Sequence, residues 1–186
     1  MPQQISILGF AGSLRKGSYS KAVLREALND LPPNTTLEIF DLEGIPLFNQ
    51  DLEAEVPEKV KAFKSKIEKA DAMLIVTPEQ NHSVSAVLKN ALEWGSRPDG
   101  DNSFDGKAAA IITLSTGIRG GVRAEGHLRQ MFVDLNLMPI NKPRVYVANA
   151  DQKIGEKGVF SDERTSDSIK ALLAKLAELA RKLQGN

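Results

Sequence analysis

Apolar and polar positions alternate in a regular rhythm along the chain. Short apolar runs are each followed by a polar or glycine-rich turn, then by a stretch with helical apolar spacing. Runs of that length read as strands and the longer periodic stretches as helices, so the alternation predicts an α/β chain with a parallel sheet. Five strands are expected: 5–10, 37–41, 72–77, 108–114 and 144–147. The third and fourth are apolar on both faces, as central strands covered by helices are, whereas Leu37-Glu38-Ile39 alternates like an edge. A doubly wound sheet in the order 2-1-3-4-5, with helices on both faces, fits this pattern.

Helices are expected over 20–31, 57–69 and 85–94, from near Gly121 to before Pro139, and from Ser166 onward. In the last, Ile169, Leu172, Leu173, Leu176, Leu179, Ala180 and Leu183 form one stripe with Lys and Glu opposite, a packing signal and not a chemical one. Residues 42–56 and 95–106 read as irregular, rich in Gly, Pro, Asn and Asp. With no repeat, linker or low-complexity segment, the 186 residues are expected to form one domain.

Charge narrows the partners. The 24 Lys and Arg balance the 24 Asp and Glu, so no overall field draws the chain to nucleic acid or to an anionic membrane. Anion binding must be local. The absence of cysteine removes thiolate nucleophiles, disulfides and ordinary iron–sulfur ligation, so redox chemistry would need an organic cofactor. The opening Met1-Pro2-Gln3-Gln4-Ile5 has no basic n-region, and no apolar run approaches the roughly 20 residues that cross a bilayer. A cytoplasmic location is the expectation, without membrane insertion.

In an open parallel sheet, ligands bind beyond the carboxyl ends of the strands, where the strand order reverses. Three loops answer to that rule. The first, 11–20, carries Gly12 and Gly17, the hydroxyls of Ser13, Ser18 and Ser20, the forked cation of Arg15, and a helix start with free N–H groups. Ser18-Tyr19 stands where a triphosphate-binding Walker loop needs Lys and Ser or Thr, and the dinucleotide fingerprint also fails. A monophosphate suits the loop better. A serine-rich helix cap with solvated Arg15 and Lys16 is the plainer alternative.

The second loop, 77–85, places Pro78, Glu79, Gln80 and Asn81 where peptide N–H groups could read the edge of a flat heterocycle. For Glu79 and Asn81, helix entry and loop hydrogen bonding are the alternative. His82 is a substrate-side candidate, although a lone loop histidine is more often structural or solvated. The third loop, 115–121, offers Ser115 and Thr116 as donors and has Gly117, Gly120 and Gly121, whose density suggests close approach by a ring or a flexible turn. Arg119 could meet an incoming anion or simply face solvent. Trp94 reads as packing or a subunit contact, and neither the aspartates at 99, 101 and 105 nor His127 has the spacing of a metal site.

Together these segments resemble the NADPH-dependent flavin reductases of flavodoxin-like fold, and within them the soluble quinone and chromate reductases. The likeness rests on Gly12-Ser13-Leu14-Arg15-Lys16-Gly17-Ser18-Tyr19-Ser20, on 77–83 leading into 88–98, and on 115–121. Pro46-Leu47-Phe48-Asn49-Gln50-Asp51 adds to it and makes Asn49 a substrate-side candidate. The resemblance implies FMN, with its phosphate on Ser13, Arg15, Ser18 and Ser20, near Tyr19. It implies a ring held by Pro78, Glu79, Gln80, Asn81, Ser115 and Gly117, with Thr116 alongside, and a homodimer or homotetramer. Gln80 departs from the usual Tyr, and Ser20 from a frequent Asn.

The implied activity is ping-pong hydride transfer from NADPH or NADH to a quinone, or to chromate and related oxyanions, with no catalytic protein residue and no metal. An azoreductase or free-flavin reductase is the neighbouring reading. A flavodoxin-type electron carrier is the non-enzymatic one, against which the zero net charge argues.

Overall fold

The computed structural model describes residues 4–155 and 158–185; Met1–Gln3, within the opening read above for a targeting signal, lie outside them. Strand β1 (Ile5–Ala11) lies between β2 (Thr35–Phe40) and β3 (Ala72–Pro78), and β3 pairs with β4 (Ala108–Leu114), all in parallel. The order is β2-β1-β3-β4 with a fifth position beyond β4, as the apolar patterning predicts. β4 is buried throughout, whereas every second residue of β2 up to Glu38 is exposed, as befits an edge.

Side chains alternate across the sheet because successive residues of a strand point to opposite faces. Ile5, Ile7, Leu74, Val76, Ala110 and Ile112 join the core shared with α1 (Tyr19–Glu26), the single-turn α5 (Ala150–Lys153) and α6 (Glu163–Leu183). Leu8, Phe10, Met73, Ile75 and Ile111 join the opposite core, with α2 (Glu58–Lys69), α3 (Ala86–Gly95) and α4 (Val122–Asp134). The stripe of α6 is buried at Ile169, Leu172, Leu173, Leu176 and Ala180, each large side chain contributing about 1.5–3 kcal/mol by leaving water.

Three elements differ from the sequence expectation. Helix α1 ends at Glu26 and not near Leu31, giving way to turns in which Leu28 and Asn29 donate to the carbonyls of Arg25 and Glu26. Asn29 and Asp30 favour such turns, and Pro32 keeps Leu31 out of the helical region. The stretch 42–56 contains a 3-10 helix, Gln50–Glu55, capped by Asn49, whose Oδ1 accepts the Asp51 N–H at 3.1 Å.

The fifth sheet position is shared by two short strands. β5 (Met138–Pro139) pairs with Ala108 and Ala109 at one end of β4, and β6 (Val145–Val147) pairs with Ile112–Leu114 at the other. Pro139 and Pro143 have no N–H to give, so one continuous ladder cannot run through this segment.

Candidate functional site

The chain leaves β1 toward β2 on one side and returns through β3 on the other, so the strand order reverses between β1 and β3. A crevice must open there. The loops after β1, β3 and β4 enclose a cavity of about 290 Å³ lined by Ser13, Arg15, Ser18, Tyr19, Ser20, Pro78, Glu79, Gln80, Leu114, Ser115 and Thr116. Ten of the residues singled out from sequence therefore share one cavity. Asn81 and Gly117 adjoin it in sequence without lining it, and His82, Arg119 and Asn49 lie outside it. Larger clefts of about 640 Å³ beside α1 and about 460 Å³ between α3 and α4 lack that convergence of three strand ends, so position and not volume selects the site.

The first loop is shaped by what it leaves open. Ser18 caps α1, its Oγ accepting the Lys21 N–H at 3.3 Å. Ser20 is 1% exposed, and its Oγ is buried with no hydrogen-bond partner among the described residues. An orphaned hydroxyl costs about 1–3 kcal/mol unless a ligand completes it. Arg15 is exposed, donates from Nη2 to the Gly17 carbonyl at 2.7 Å and lies over the Tyr19 ring at 4.9 Å. Gly12 is required by the fold itself, since a Cβ there would stand 2.6 Å from Thr77 Oγ1 and 2.9 Å from Ser85 Oγ. Lys21 pairs with Asp41 beyond β2 at 2.9 Å; burial would raise the Asp41 pKa, but the Lys21 ammonium and the Glu43 N–H hold it below the usual carboxylate value.

The second loop is a closed turn. Gln80 and Ser83 exchange backbone hydrogen bonds at 2.9 Å, and Asn81 and His82 between them have φ of 47° and 63°. Positive φ at both central residues marks a type I′ turn, which asparagine tolerates well. The Gln80 N–H expected to face a ring is thus engaged with Ser83, and the Glu79 N–H donates to the Leu114 carbonyl at 3.0 Å. Among the described residues, the N–H groups of Asn81 and His82 have no such partner.

In the third loop, Ser115 is fixed from several sides. Its N–H donates to Val147, its carbonyl accepts from Ala150, and its Oγ donates to the Gly117 carbonyl at 3.1 Å. The glycine density has a structural cause. Gly121, at φ 85°, would bring a Cβ to 2.8 Å from Thr113 Cβ, and the carbonyl of Gly120 accepts from the buried Thr113 hydroxyl at 2.9 Å. Gly120 and Gly121 therefore serve the turn into α4, while Gly117 and Arg119 stay exposed.

Sequence reasoning missed how α4 begins. Its N-cap, Gly121, offers no side chain. The Glu79 carboxylate, 11% exposed, instead accepts the N–H groups of Arg123 at 3.0 Å and Ala124 at 3.4 Å, with the Arg123 guanidinium at 3.5 Å. His127 Nδ1 sits 2.9 Å from Ser83 Oγ. The only local hint was the bare glycine ahead of α4, because these partners lie 44 or 45 residues apart. Trp94 packs, one of the two roles expected of it: it is buried, and its Nε1 donates to the Pro46 carbonyl at 2.8 Å, tying Pro46 to α3. Among the described residues, no cluster of three or more acidic or histidine side chains could hold a metal.

The family model described as NADPH-dependent FMN reductase matches residues 5–152. The chain is 42% identical over 186 residues to an NAD(P)H-dependent FMN reductase of Pseudomonas aeruginosa, covering 100% of both chains. It is 41% identical to an NAD(P)H:quinone oxidoreductase of Solanum tuberosum, covering 97% of this chain and 95% of that one. Among solved structures it resembles FerB, a flavoenzyme NAD(P)H:(acceptor) oxidoreductase from Paracoccus denitrificans. That match has a TM-score of 0.87 at 29% identity, over 96% of this chain and 98% of the other.

Proposed function

The chain belongs to the NADPH-dependent FMN reductase family, and from that premise we propose that it is an FMN-dependent NAD(P)H oxidoreductase whose acceptors are quinones. The carrying observation is the cavity at the strand reversal, with the buried Ser20 hydroxyl, partnerless among the described residues, on its α1 side. That donor set fits a phosphate monoester: three serine hydroxyls, a guanidinium with donors to spare, and the amino end of α1. Ser13, Arg15, Ser18 and Ser20 would hold the FMN phosphate beside Tyr19, and Pro78–Asn81 with Ser115–Gly117 would border the ring. A flavin held there would supply the redox chemistry, carrying two electrons and a proton as hydride from the nicotinamide to the quinone, with solvent supplying the hydroquinone's second proton.

The protein's own part is placement. The second and third loops hold their shape by backbone hydrogen bonds, so the ring would meet a surface that needs no rearrangement. Arg119, exposed on the third loop, is available to the phosphates of NADPH or to an anionic acceptor, and His82 and Asn49 are further substrate-side candidates. No side chain in the cavity is needed to move a proton in the hydride steps.

The finer reading is a single flavodoxin-like domain, a cytoplasmic location, a homodimer or homotetramer, and chromate or related oxyanions among the acceptors. No helix among the described residues is long and apolar enough to cross a membrane.

The test is the visible spectrum of the purified protein. A yellow protein that bleaches with NADPH without oxygen and recovers its colour with benzoquinone bears the reading out. A colourless protein that takes up no added FMN overturns it. Parallel steady-state lines at varied NADPH and quinone are expected; convergent lines would argue against a shared site.

A further inference from the structure

Glu79 lines the cavity, yet its carboxylate is engaged elsewhere. We infer that Glu79 is a positioning residue, which fixes both ring-side loops against the amino end of α4 without itself binding the flavin. This rests on the flavin reading above. Helix α4 has four leading N–H groups to satisfy and a glycine cap with nothing to offer them. Glu125, the acidic residue of its first turn, is buried and bonded to Arg129 instead. Glu79 supplies the missing cap from the end of β3, and its negative charge faces the positive end of the helix dipole.

The consequence reaches both loops. Residue 79 is held at its N–H by Leu114 and at its carboxylate by Arg123 and Ala124, and the type I′ turn starts at the next residue. One helical turn further along α4, His127 meets Ser83 at the far end of that turn. The third loop runs directly into the helix start that Glu79 caps. One carboxylate thus sets the spacing between the Asn81 and His82 peptides on one side and Ser115–Gly117 on the other.

The experiment compares Glu79→Ala, Glu79→Asp and Glu79→Gln with the wild-type chain by FMN fluorescence titration and by the shape of the bound-flavin visible bands. Glu79→Ala removes the cap and is expected to weaken FMN binding by about tenfold and to alter the bands. Glu79→Asp, one methylene shorter, is expected to do the same, and it serves if the alanine variant does not fold. Glu79→Gln keeps an acceptor oxygen and is expected to bind within about threefold of wild type. In the flavin-free protein, amide exchange at Arg123 and Ala124 is expected to quicken in the alanine or aspartate variant and not in the glutamine one. Wild-type affinity and bands in the alanine or aspartate variant overturn the inference, as does a glutamine variant as impaired as either. A wild-type chain that binds no FMN would instead sink the flavin reading itself.

Discussion

On the α1 side of the crevice, the Ser20 hydroxyl is buried without a partner among the described residues and Arg15 lies exposed over its own loop. On the α4 side, the N–H groups of Glu79, Gln80, Ser83 and Ser115 are all engaged, and Gly120 and Gly121 are spent on backbone geometry. The difference separates two ways of making a site. On the proposed reading, the α1 side is left for a ligand to complete, and binding there would repay a local deficit in the fold. The α4 side is largely set beforehand, with the Asn81 and His82 N–H groups left unengaged among the described residues, so on the proposed reading it would contribute mainly shape.

Gly121→Ala strikes the α4 side hardest. Backbone strain at φ 85° costs about 1–3 kcal/mol and crowding against Thr113 a similar amount, and the fall in Tm of the flavin-free protein measures the sum. Arg15→Ala strikes the open side with the opposite signature. Losing charge-assisted bonds worth about 1.5–3 kcal/mol weakens FMN about 10–100-fold while leaving Tm without flavin unchanged, and riboflavin affinity, which involves no phosphate, stays near wild type. Equal weakening of FMN and riboflavin would erase the comparison.

Ser20→Ala sharpens it. Removing an unsatisfied buried hydroxyl is expected to stabilise the flavin-free chain by about 1 kcal/mol while weakening FMN roughly tenfold, read by paired thermal and fluorescence titrations. A variant destabilised without flavin would mean the hydroxyl already has a partner.

The smallest effect lies outside both sides. Glu178 on α6 is bonded by Lys175 and Lys182, which lower its carboxyl to about 2 from an ordinary 4.5. A lowered folded-state pKa gives stability that is present above the ordinary value and lost as pH falls toward the folded one. Glu178→Gln is therefore expected to flatten slightly the acid loss of Tm between about 4.5 and about 2. FMN affinity above pH 5 should stay unchanged, whereas the crevice variants change affinity and leave the acid limb alone.

What was legible in the sequence follows from range. β3 and β4 were visible because burial on both faces writes an unbroken apolar run, and α6 because its stripe repeats at helical spacing. The crevice was visible because strand order alone locates it and its serines and Arg15 cluster within ten residues. The cap of α4 was not, since a carboxylate 44 residues from its N–H partner leaves no local trace. Gly120 and Gly121 were ambiguous for a related reason. Close approach to a ring and close approach to Thr113 ask for the same missing Cβ, and only coordinates tell which neighbour is there. Along 138–147, prolines and short apolar runs compete, and the split between β5 and β6 is their compromise.

That split bears on what the β4 side of the sheet can accept. A sheet edge is a template for a foreign strand when it offers an uninterrupted row of N–H and C=O groups. Here the outer edge offers two residues, a gap and three more, with proline at both Pro139 and Pro143. Such an edge resists strand addition on the β4 side of the sheet, so that the unbroken β2, at the opposite edge, is where the sheet stays open to a foreign strand.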